Sequence, residues 1–177
     1  MSTRSDLREP TCDILGLFPI PFMRLTAAID PELLDACLAM ADSSITEKNL
    51  RSGQLSHSTV LKPEEHPAFR DLADTVAPAL AEFGMLMFGE RLNWSIKEMW
   101  ANVLEHGGHQ SIHSHANSFV SGILYLTESH PSARTVFYKS LGSTDFPFTN
   151  KHEGAITTQC NGDRWVCPPV SPGDIVL

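Results

Sequence analysis

The stretch from His109 to Thr127, H-Q-S-I-H-S-H-A-N-S-F-V-S-G-I-L-Y-L-T, constrains this chain more than any other. In an extended strand alternate side chains share a face, so His109, Ser111, His113 and His115 would point one way and Gln110, Ile112 and Ser114 the other. Imidazole nitrogen is the commonest protein ligand for a transition metal, and two such groups two residues apart on a strand can reach one ion together. His113 and His115 are therefore the candidate metal anchor, although histidines beside a Gly-Gly turn are also common as exposed loop residues. The continuation favours the first reading. Ser118–Thr127 has the β-branched, aromatic and aliphatic composition of a strand, with Phe119, Ser121, Ile123 and Tyr125 on one face and Val120, Gly122, Leu124 and Leu126 on the other. A small residue, a hydroxyl and a phenol are thereby expected beside the histidines.

A chain of 177 residues suffices for one domain with a real core. Acidic residues outnumber basic ones by 21 to 13, a formal charge of −8, and no run of Lys or Arg is longer than a pair. No nucleic-acid partner is therefore expected, because neutralising phosphates is what supplies that affinity. The polar N-terminus MSTRSDLREPTCD lacks the apolar segment of a signal peptide. No apolar run approaches the roughly 20 residues that span a bilayer, so no membrane association and a cytoplasmic location are expected. Cys12, Cys37, Cys160 and Cys167 lack C-x-x-C spacing, which argues against a zinc ribbon or a redox pair. Reduced thiols are expected, with Cys160 and Cys167 facing each other across a hairpin but unbridged.

Residues 1–13 read as a flexible lead-in and 14–177 as a single domain, helical over 14–93 and strand-rich over 94–177. Ile14–Leu25 is apolar, but its two prolines demote it to an edge strand or an extended crossing segment. Asp30-Pro31-Glu32 supplies an N-cap, a first-turn proline and a first-turn acid, and Leu33, Leu34, Cys37, Leu38 and Ala41 recur at helical spacing, predicting a helix over 31–41. Residues 42–63 read as an irregular connection with a short strand at 58–61, and His57 as an exposed loop histidine. Pro63-Glu64-Glu65 is read as opening a second helix that reaches Phe88, broken or kinked at Pro78, with Phe69, Leu72, Ala73, Val76, Leu80, Phe83 and Met87 as its buried stripe.

Strands are predicted over 95–105, with Trp100 as core, and over 133–140. A lid-length loop over 141–150, a hairpin around Asn161-Gly162 and a strand from Ile175 complete the pattern. Helices followed by several short, turn-punctuated strands indicate an α+β chain whose sheet part is a barrel or double-sheet roll.

Trp100-Ala101-Asn102-Val103, the Gly-Gly turn, His113-Ser114-His115-x-Asn117-Ser118-x-x-Ser121-Gly122-x-x-Tyr125 and Pro172-Gly173-Asp174-Ile175-Val176-Leu177 together resemble a group of bacterial and phage 2-oxoglutarate- and iron(II)-dependent oxygenases, distant relatives of the prolyl hydroxylases. The likeness covers about residues 94–177. It implies a double-stranded β-helix, or jelly-roll (cupin-like), core with the N-terminal helices packed on one sheet, iron(II) as metal, 2-oxoglutarate as cosubstrate and ascorbate as an auxiliary reductant. Hydroxylation of a small molecule or a peptide side chain is the implied activity.

His113 falls at the first iron ligand. His115 falls where most of the superfamily carries Asp or Glu, so it is either a second imidazole ligand or a group behind the ligands. Asn102, Ser121 and Tyr125 are the candidate polar contacts to the cosubstrate, from face alternation and nearness to the ligand strand. The resemblance places a third ligand, a histidine, and a 2-oxoglutarate-binding arginine beyond Leu177, so a C-terminally truncated copy with its last strands missing is expected. His130 and His152 are the loop imidazoles that could stand in. The alternative is a jelly-roll binding or structural module without a complete metal site. Missing strands would leave unpaired sheet edges, so association, a homodimer among its forms, is also expected.

Overall fold

The computed structural model describes residues 20–49, 55–115, 118–130, 133–138, 154 and 165–177. Two helices and three small antiparallel sheets make it an α+β structure. Strand β1 (Arg24–Leu25) is followed by helix α1 (Pro31–Ser44), strands β2 (Ile45–Asn49) and β3 (Leu55–Ser58), and helix α2 (Pro67–Phe88). The remaining strands are β4 (Asn102–Leu104), β5 (Ile123–Leu124), β6 (Phe137–Tyr138), β7 (Trp165–Val166) and β8 (Ile175–Val176).

Helix α1 begins as its sequence dictates. The Asp30 side chain accepts a hydrogen bond from the Leu33 amide at 2.8 Å, and Pro31 occupies the first turn, where a missing N–H costs nothing. The helix runs on past Ala41 to Ser44, where the hydroxyls of Ser43 and Ser44 turn back onto the Met40 carbonyl at 3.0 and 2.6 Å.

Helix α2 starts later than the acidic pair at 64–65 suggests. Residues 63–65 form a turn instead, and His66 is extended at φ −133 and ψ 110. The cause is Pro67, whose ring disfavours helical geometry in the residue before it, so no helix can pass through His66 into Pro67. Pro78 lies inside α2, which is helical on both sides of it. The helix ends at Gly89, whose φ of +72 suits a residue without Cβ, and the Gly89 amide donates to the Met85 carbonyl at 2.9 Å. Of the expected stripe, Phe69, Leu72, Val76 and Phe83 are buried, whereas Met87 is exposed.

The core lies between the helices and the sheet β1-β8-β5. Ile29, Cys37, Leu72, Val76 and Ile175 form its buried centre, with Leu25, Leu124, Leu126 and Leu177 packed against it. Strand β8 is the middle strand, pairing antiparallel with β1 through Arg24↔Val176 and with β5 through Ile123↔Val176. Its Val176 is only 1% exposed. The Asp174 carboxylate ties the turn before β8 to the end of β1, accepting from the Ala27 amide at 2.9 Å and from the Ser171 amide at 3.1 Å. The predicted edge strand at 14–25 is thus seen as β1 at its far end. Residues 14–19 lie outside the described residues.

Residues 45–58 differ from the irregular connection expected. Their described residues, 45–49 and 55–58, form β2 and β3, which pair antiparallel, and β3 pairs in turn with β4 through Leu55↔Leu104, Ser56↔Val103 and His57↔Asn102. His57 is accordingly a half-buried strand residue and not an exposed loop histidine. Polar side chains at Ser56, His57 and Ser58 hide the strand from a reading based on apolar alternation, because main-chain pairing to β4 holds it.

Strands β6 and β7 pair through Phe137↔Val166 and Tyr138↔Trp165. The expected loop at 141–150 and most of the hairpin around Asn161-Gly162 lie outside the described residues. Cys37 and Cys167 are free, and Cys12 and Cys160 also lie outside. Among the described residues no helix is long and apolar enough to cross a membrane.

Candidate metal centre

Three segments build the site: the approach to β4, the link from β4 to β5, and β5 itself. The first is firmly held. Met99 bridges Leu61, the Ser58 amide donates to the Ala101 carbonyl at 3.0 Å, and the Ala101 amide donates to the Ser58 hydroxyl at 2.9 Å. Ser58 is itself buried and passes its proton to the Thr59 carbonyl at 2.7 Å.

The link turns at His106-Gly107, with Gly107 at φ +80 and the Gly108 amide on the Glu105 carbonyl at 2.9 Å. Residues 108–115 then run without strand pairing. The expected ligand strand over His109–His115 is therefore not a strand of any sheet. The period of two that grouped three histidines had no ladder to enforce it.

His113 and His115 nonetheless lie together. Their ring centroids are 5.0 Å apart at an interplanar angle of 64°, and both side chains are exposed. The Nδ1 of His113 is 2.8 Å from the Ser111 carbonyl oxygen. A carbonyl only accepts, so Nδ1 carries the proton, and in the neutral ring Nε2 keeps its lone pair for a metal.

Two imidazoles bound to one ion through nitrogens about 2.1 Å away, at angles of about 90–110°, hold their centroids about 4.6–5.3 Å apart. The spacing found here fits that requirement, so the two imidazoles are spaced as two ligands of one transition-metal ion would be. Among the described residues no group of three or more His, Cys, Asp or Glu side chains could hold a metal ion. His130 is not drawn into such a group, and His152 lies outside the described residues.

The sequence places Trp100 in the core. It is instead 36% exposed, and its indole lies against His115 with ring centroids 5.4 Å apart and planes tilted by 31°. Alternation from the anchored Ala101 could have flagged it, since Trp100 shares its face with Asn102, a candidate cosubstrate contact. Asn102 is exposed on β4 opposite His57.

Of the expected 118–127 strand, Ile123–Leu124 is strand β5, and Tyr125 prolongs its pairing, donating to the Asp174 carbonyl at 3.0 Å and accepting from the Gly173 amide at 2.8 Å. Its two faces separate only in part as the alternation requires: Leu124 and Leu126 join the core and Phe119, Ser121 and Ile123 are exposed, but Tyr125 of the outer face is half-buried and Gly122 of the inner face is exposed. The Ser121 hydroxyl is 3.3 Å from that of Ser118. Gly122 does not stand beside the histidines, for a Cβ there would meet Leu177 Cδ2 at 2.8 Å and the Val176 carbonyl at 3.3 Å. The Tyr125 hydroxyl is closed off from solvent without a well-formed hydrogen bond. Burial pushes its pKa above the ordinary phenol value, and the nearby Thr135 side chain offsets this only in part.

Residues 98–177 match a family model described as "Putative 2OG-Fe(II) oxygenase". The C-terminal part of the chain is therefore similar to the 2-oxoglutarate- and iron(II)-dependent oxygenases, a family that uses Fe(II) and 2-oxoglutarate. The matched span contains His113, His115, Asn102, Ser121 and Tyr125. No curated protein matches the chain.

Proposed function

We propose that this chain is an oxygenase domain that hydroxylates a small molecule or a peptide side chain, with His113 and His115 as ligands to iron(II) and Asn102, Ser121 and Tyr125 as contacts to 2-oxoglutarate. The observation that carries the reading is the imidazole pair, 5.0 Å apart inside the matched span. When bound, iron(II) and 2-oxoglutarate supply the chemistry: oxygen is reduced as the 2-oxoacid is decarboxylated to succinate, and a substrate C–H becomes C–OH. The chain's own residues do the placing. Ser111 fixes the His113 tautomer, and the exposed link leaves the remaining coordination positions open to a bidentate 2-oxoacid and oxygen. A jelly-roll architecture is part of this proposal. Two antiparallel sheets flanking the link, β1-β8-β5 and β2-β3-β4, support it.

The deciding measurement is anaerobic calorimetry with iron(II), in which the wild type binds and His113→Ala loses at least about tenfold in affinity, the range typical of removing a group from a metal site. Equal binding by both proteins would refute the ligand assignment. A second reading, a non-catalytic module on the same scaffold, draws support from the lack of a third metal-binding side chain in place among the described residues. Succinate formation from 2-oxoglutarate with iron and ascorbate separates the two, since only the oxygenase produces it.

A further inference from the structure

The two imidazoles are held by different means. His113 is oriented by its hydrogen bond to the Ser111 carbonyl. His115 makes ring contacts only among the described residues, with His113 on one side and Trp100 on the other. Both histidines stand on the unpaired link 108–115, where no ladder fixes the side-chain direction. Trp100, by contrast, sits between two pinned neighbours, Met99 bridged to Leu61 and Ala101 bonded twice to Ser58.

We propose that Trp100 is a positioning residue for the metal pair: its indole is a fixed plate against which the His115 imidazole is held ready to bind an ion together with His113. The inference rests on the metal reading above and goes beyond it, because Trp100 is not a ligand. A flat aromatic face restricts the rotation of a ring stacked on it at 5.4 Å. An unheld His115 would have to be ordered at the moment of binding, and immobilising one such side chain weakens affinity by about three- to tenfold. The hydrophobic edge of β4 alone gives no reason for a large aromatic at this place, since the strand is exposed along its length.

Cobalt(II), an air-stable probe for the iron position, tests this through binding affinity and fluorescence rather than turnover. Trp100→Leu removes the aromatic face while keeping an apolar side chain, and Trp100→Phe restores it. The expected result is three- to tenfold weaker cobalt binding in the leucine variant and affinity within about twofold of wild type in the phenylalanine variant. The chain has three tryptophans. Cobalt quenching of wild-type fluorescence should therefore fall sharply in Trp100→Phe, whose remaining indoles are Trp94 and Trp165. Equal affinity in all three proteins, or quenching unchanged in Trp100→Phe, would overturn the positioning role while leaving the histidine pair intact. Absence of cobalt binding in the wild type would instead overturn the metal reading and the positioning role with it. If the leucine variant does not fold by circular dichroism, the quenching comparison between wild type and Trp100→Phe decides alone.

Discussion

A single hydroxyl sets the first test of the site. Tyr125 keeps its oxygen out of water without a well-made hydrogen bond, an arrangement that costs stability unless a ligand supplies the partner. Tyr125→Phe should therefore leave stability at neutral pH unchanged or higher by up to about 1 kcal/mol, since it orphans nothing. The alkaline limb carries the sign. With the folded-state pKa raised by burial, the unfolded chain gives up its phenolic proton first, so wild-type stability declines as pH rises past about 10. Cys37, raised by burial and by the Asp71 charge, adds to the same decline from about pH 9. Urea melts at pH 7 and above pH 10 should show a flatter decline in Tyr125→Phe. A loss of more than about 1 kcal/mol at neutral pH would mean that the hydroxyl is bonded in the folded protein.

Among the elements, α2 shows local preference and packing in direct conflict. Gly84 lies in mid-helix, where alanine would normally gain about 1 kcal/mol. The Trp94 indole occupies the space that a Cβ would need, its Nε1 at 2.5 Å from that position. Overpacking costs about 1–3 kcal/mol, so Gly84→Ala should destabilise on balance, by about 1 kcal/mol in chemical denaturation. A gain would show that the indole swings aside. Helices were the more legible elements because their signals are local: Asp30 capping Leu33, and the period of Phe69, Leu72, Val76 and Phe83. The proline-acid signal at Pro63 does not start a helix because Pro67 restricts His66 to extended geometry. Strands were less legible. The β3 strand is polar in sequence and exists because β2 and β4 pair with it, whereas the apolar run at 118–127 pairs over Ile123–Tyr125 and not along its length.

For the whole molecule the main feature is uncovered apolar surface beside the candidate site. Phe119 is 79% and Ile112 76% exposed, and Phe88 stands edge-on to Phe119 with ring centroids 5.7 Å apart. Exposed apolar groups of this size promote association, which the net charge of −8 opposes by repulsion. Light scattering should show mass rising with protein concentration, more so when salt screens the charge, and Phe119→Ser should reduce it. A monodisperse monomer at every concentration and salt level would refute this.

By itself the sequence determined the α+β class, the two helices, the likeness of the segment 98–177 to an oxygenase family and the two histidines as the pair to inspect. Each of those depends on residue identity or on spacing along one element, which a linear pattern carries. Tertiary structure alone decided that β8 lies in the middle of its sheet, that Gly122 packs on Leu177 and not beside the histidines, and that Trp100 faces His115. Those are contacts between segments far apart in the chain or across an unpaired link, and no local periodicity records which surfaces meet.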